Sequence, residues 1–130
     1  MKIEPTNTPG EPRIFFDQDD LQVAKFAAQE YVGYYCSDYG KMPSGETYTT
    51  ISKLLESPVP EKNRFIECTD KKEIIVTVLK AFFTNTSHQV RSIGMFVDMT
   101  ELEKGQVAYE RFKLGVMAKL LLDDLKVEVE

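Results

Sequence analysis

One histidine, His88, and two cysteines, Cys36 and Cys68, are all the imidazole and thiol in this chain. A structural zinc site takes four such ligands, and a di-iron bundle takes a Glu-x-x-His pair on each of two helices. The count excludes both. Tryptophan is absent. No apolar run reaches the roughly 18 residues of a membrane span, and no basic-then-apolar leader opens the chain. The expectation is a cytoplasmic protein with reduced thiols, no cofactor and no membrane partner.

Catalytic motifs are also missing. The spacing of Cys36 and Cys68 to His88 carries no nucleophile signature. Cys36 lies among Tyr34, Tyr35 and Tyr39, a setting for a small buried hydrophobe. The segment Gly40-Lys41-Met42-Pro43-Ser44-Gly45 lacks the Gly-Lys-Ser/Thr end of a phosphate-binding loop. Asp17-Gln18-Asp19-Asp20 is followed by Leu21 and a helix, so its carboxylates read as caps and not as calcium ligands. The chain is therefore expected not to be an enzyme.

Excess positive charge is missing too. The net charge is −5, and it is uneven: −4 over residues 1–40, +2 over 41–91 and −3 over 92–130. Phosphate binding needs concentrated Lys and Arg. Lys53, Lys62, Arg64, Lys71, Lys72, Lys80, His88 and Arg91 are the candidates for such a patch. They support a secondary reading, a helical accessory subunit of a nucleic-acid complex.

What the chain does have is apolar residues at helical spacing, 42% of the total being hydrophobic. Met1 to Pro12, with three prolines, reads as a mobile arm ahead of one domain over 13–130. Arg13–Phe16 and Arg64–Cys68 are short apolar bursts of strand character. A first helix spans Asp17 to Tyr35 or Cys36, with Leu21, Ala24, Ala28, Tyr31, Val32 and Tyr35 on one face. A short helix follows over Thr47–Glu56. A third, capped by Thr69 or Asp70, runs to about Thr84. Asn85–Ser87 reads as a break, with a further short helix from Ser87 toward Met99. Ile93–Asp98 is ambiguous between helix and strand, and Lys126–Glu130 alternates. Thr100-Glu101-Leu102-Glu103 matches a capping box and opens the last helix. The fold class is all-α, a compact bundle of four to five helices with room for a minor short β element.

The last helix carries the most information. Leu102, Tyr109, Phe112, Val116 and Leu120 form one stripe of a 3.6-residue helix, which reads as the core face. Leu114, Met117, Leu121 and Leu125 lie outside that stripe and read as a seam for a homodimer or another partner. Tyr39 and Tyr48 are further interface candidates, since tyrosine gives large contact area at low entropy cost. Gly105, Ala108, Gly115 and Ala118 predict a close crossing, read first as internal, against Ala24, Ala27 and Ala28 of the first helix, with a dimer seam as the alternative. The functional expectation is a non-enzymatic protein-binding domain of inhibitor, immunity or adaptor type, acting through an acidic helical surface.

Overall fold

In the computed structural model, described for residues 1–8, 12–68, 72–92 and 100–126, the chain is a helical bundle capped by a small sheet. The sheet is built on β2 (Arg13–Phe16), which alternates in and out of the core: Ile14 and Phe16 are fully buried. Strands β1 (Lys2–Glu4) and β3 (Ile66–Cys68) pair antiparallel with its two edges. Lys2 lies opposite Phe15, and Ile14 lies opposite Cys68. Part of the segment expected to be a mobile arm is thus a strand. The Met1 amine, 2.8 Å from Asp20, ties it to the first helix. Arg13 sits between both edges, bidentate to Glu67 at 2.9 and 3.0 Å and 3.6 Å from Glu4. Its hydrogen bond and charge hold the Glu67 carboxyl below its ordinary range.

Four helices follow: α1 (Gln18–Tyr39), α2 (Gly45–Glu56), α3 (Lys72–Ser92) and α4 (Glu101–Asp124). Asp17 caps α1, accepting from the Asp20 backbone N–H at 2.9 Å, while the Asp20 side chain reaches back to the Asp17 N–H. Gly40 ends α1 with φ 67°, a left-handed conformation that glycine adopts without steric cost. The Thr100 hydroxyl accepts from Glu103 N–H at the start of α4. These caps are local, and the sequence shows them.

Helix α3 does not break at Asn85–Ser87. The hydroxyl of Ser87 donates to the carbonyl of Phe83, one turn earlier, so it is satisfied inside the helix. Thr77 does the same to Glu73. The buried Ile75, Val78, Leu79, Phe82 and Thr86 carry one packed face through the expected break. The separate short helix expected from Ser87 is therefore the last turns of α3. The caps expected at Thr69 or Asp70, the ambiguous Ile93–Asp98 and the end beyond Lys126 lie outside the described residues.

The core lies between the sheet and the bundle. Ile14 and Phe16 from β2 join Leu21, Val23, Ala24, Ala27 and Ala28 of α1, with Ile51 and Leu54 of α2. The inner faces of α3 and α4 close it. Phe26 meets Phe82 edge-on, centroids 5.7 Å apart, where α1 crosses α3.

Candidate interaction surface

Helix α4 turns the opposite way from the sequence expectation. Leu121 and Leu125 are buried, and Leu114 and Met117 are partly buried against the same core. The seam expected for a partner is covered by the chain itself. The narrow stripe expected to face the core points outward instead. Leu102 is 73% exposed, Tyr109 68%, Phe112 62%, Val116 41% and Leu120 57%.

The reason lies in how α4 meets α3. A Cβ at Gly115 would stand 3.2 Å from the methyl of Thr86. The two backbones approach closely there, and only the face bearing Gly115 and Ala118 fits that approach. Large leucines on either side of this small strip, Leu114, Leu121, Leu122 and Leu125, are carried inward with it. The close crossing predicted from small residues exists, but at Gly115 its neighbour is α3. Gly105 takes no part: nothing lies within 4 Å of the place its Cβ would occupy.

The first half of α4 is mostly exposed from Glu101 to Glu110, and its buried residues begin only at Gly115. A polar clamp holds it to the other helices. Arg111 donates to Glu30 of α1 at 2.7 Å and lies 5.5 Å from the Phe26 ring centre. Gln89 of α3 donates to the Tyr34 hydroxyl at 3.2 Å. Burial, with a hydrogen bond to Glu30 and its charge, pushes the Tyr34 phenol up to about 12. Beside the clamped hairpin runs a groove of about 270 Å³ between α3 and α4, lined by Phe83, Thr86, Ser87, Val90, Phe112, Gly115 and Val116. The Thr86 hydroxyl, buried beneath it, has no hydrogen-bond partner among the described residues.

Tyr39 and Tyr48 are exposed, at 65% and 50%. Tyr39 closes a ladder along α1, 4.5 Å from Tyr35, which is 6.0 Å from Tyr31. Met42, also half exposed, sits with its sulfur 3.3 Å from the Cys36 thiol. These residues form a second apolar surface at the α1–α2 turn. Neither cysteine is in a disulfide.

The basic residues are spread out. Lys53 is on α2, and Lys62 and Arg64 are in the following loop, Arg64 beside Glu61 at 3.8 Å. Lys72, Lys80 and His88 lie along α3, eight residues apart. Each step advances about 12 Å and turns about 80° around the axis, so the three do not share a face. Lys71 and the Arg91 side chain lie outside the described residues. Among the described residues no group of three His, Cys, Asp or Glu side chains is placed to hold a metal ion, and no helix is long and apolar enough to cross a membrane.

No family model matches the chain, and comparison with curated proteins and with solved structures found no match either. The fold itself is a mostly helical bundle with a minor sheet, and the outer stripe of α4 carries five exposed large apolar side chains.

Proposed function

We propose that this chain is a non-enzymatic, cytoplasmic protein-binding domain of inhibitor, immunity or adaptor type, and that the outer face of α4 is where it binds. One observation carries the reading: five large apolar side chains on a single stripe are 41–73% exposed. Isolated exposed leucines are ordinary, whereas a contiguous patch of several hundred Å² rimmed by charge marks an interaction site. Glu101, Glu103, Glu110, Lys113, Lys119 and Asp123 supply that rim. The aromatic pair at its middle, Tyr109 and Phe112, is of the kind that dominates interface energetics.

The test is a capture experiment from the native host with wild-type bait and with a Tyr109→Asp, Phe112→Asp bait, read by mass spectrometry. Proteins retained by the wild type and lost by the variant support the reading. Identical retention by both baits counts against α4 as the binding face.

A further inference from the structure

We infer that the occupant of the outer face of α4 is the same face of a second copy of this chain, laid antiparallel about a two-fold axis between Tyr109 and Phe112. The inference rests on the reading of α4 as a binding face and names its partner.

The stripe has the period of a helix-pairing seam. Leu102, Tyr109 and Val116 recur every seven residues, with Phe112 and Leu120 between and beyond them. The seven-residue step keeps these three on one line along the helix, with Gly105, Phe112 and Lys119 at the second heptad position. From Leu102 to Leu120 the seam is about 27 Å long. At about 200 Å² for a fully exposed large side chain, the five residues offer on the order of 600 Å² per copy. Two such stripes reach about 1,200 Å², the lower bound for a specific, stable interface.

Charge decides the occupant and its direction. Leu102 and Leu120 are eighteen residues apart, which is five whole helical turns, so both lie at one angle on α4. The same holds for Glu101 and Lys119, one residue before each, on one flank of the stripe. A two-fold antiparallel pairing that puts Leu102 on the second copy's Leu120 therefore sets Glu101 beside the second copy's Lys119, twice over. In the same register Tyr109 faces Phe112 across the axis, in both directions, which suits an aromatic pair. Gly105, open and without a side chain, faces Val116 of the second copy and lets the helices close. The groove beside Phe112 and Val116 gives an incoming ring somewhere to sit. A parallel pairing instead leaves Glu101 and the second copy's Lys119 about 27 Å apart along the seam, so neither ion pair forms. It also aligns the two macrodipoles, which the antiparallel pairing opposes. Among the described residues Glu101, itself 92% exposed, and Lys119 pair within their own helix, with Lys104 at 3.4 Å and Asp123 at 2.8 Å. Such pairs contribute little and are readily exchanged.

The test uses the full chain. Sedimentation equilibrium should show a dimer that dissociates on dilution. Phe112→Asp should be monomeric throughout, with unchanged far-ultraviolet circular dichroism. Glu101→Lys or Lys119→Glu alone should weaken the dimer by about three- to tenfold, because two symmetry-related pairs turn repulsive, and the double reversal in one chain should restore it. Direction is read by cross-linking in a Cys36→Ser, Cys68→Ser background. A Leu102→Cys chain mixed with a Leu120→Cys chain should form a disulfide-linked pair, and neither should link to itself. Self-linking of Leu102→Cys alone overturns the antiparallel arrangement. A wild type still monomeric at hundreds of micromolar overturns self-association. If that monomer still captures proteins that the Phe112→Asp variant loses, only the second copy is refuted. If both baits capture the same proteins, the reading of α4 as a binding face fails with it.

Discussion

Arg111 on α4 holds the Glu30 carboxylate on α1 at 2.7 Å, with both side chains less than a third exposed. These residues are 81 positions apart in sequence, and their pairing fixes where the exposed half of α4 stands relative to the bundle. Arg111→Met removes the cation but keeps much of the packing on Phe26. It leaves a half-buried carboxylate without its cation, at a cost of about 1–3 kcal/mol. Urea unfolding at neutral pH measures it. Glu30→Gln with Arg111→Met should recover part of the loss, because no buried charge remains.

Alkaline pH should weaken the fold through Tyr34. Its phenol titrates at about 12 in the folded chain against about 10 in an unfolded one. A raised folded pKa means that its contribution is complete below about pH 10 and is lost as pH rises toward 12. Burial shifts Tyr31 in the same direction, with Tyr35 and Tyr39 adding to it. Tyr34→Phe should therefore flatten the fall in melting temperature between pH 10 and 12, at the cost of the hydrogen bonds with Gln89 and Glu30. An equally steep fall in the variant would show that Tyr34 is not the group responsible.

The two faces of α4 should respond oppositely to truncation. Leu121→Ala and Leu125→Ala empty the core and should each cost about 2–5 kcal/mol. Leu102→Ala and Leu120→Ala touch only the outer face. At dilute concentration each should stay within about 0.5 kcal/mol of wild type. Reversed magnitudes would mean that α4 is rotated half a turn from its position here.

Two helical glycines should also diverge. Gly33→Ala meets open space and should stabilise by about 0.5–1 kcal/mol, the helix-propensity difference. Gly115→Ala gains the same propensity but presses on the Thr86 methyl at 3.2 Å. Its net change should be smaller than that of Gly33→Ala, and negative if Thr86 cannot shift. Thermal melts of the two single variants decide it.

The amino-terminal carboxylates should behave as caps. Asp17→Ala removes an observed hydrogen bond to Asp20 N–H and should cost about 0.5–2 kcal/mol. Millimolar calcium should leave the melting temperature unchanged, since a metal bound only to the folded state would raise it by mass action. A rise of several degrees, lost in Asp17→Asn, would identify a metal site in place of the cap.

Residues close together in the chain determined much of this protein. The starts of α1 and α4 follow from Asp17 and Thr100, whose side chains bond backbone three residues on. The end of α1 follows from Gly40. Part of the inner face of α1 follows from its 3.6-residue stripe through Leu21, Ala24 and Ala28, whereas Val23 and Ala27, buried beside it, do not. The tertiary structure decided what local pattern left degenerate. On α4 two apolar stripes share one cylinder, and hydrophobicity does not rank them; the close approach of Thr86 to Gly115 does. Asn85–Ser87 looks like a break because its polar side chains compete with the helix, yet Ser87 bonds back to Phe83 and packing of Phe82 and Thr86 carries α3 through. The β1 strand carries little apolar signal, because pairing with Phe15 and Ile14 and an ion pair to Asp20 hold it, and these are contacts between residues far apart in the chain. Sequence periodicity fixes which residues share a face, but only packing against a partner element fixes which face is inside.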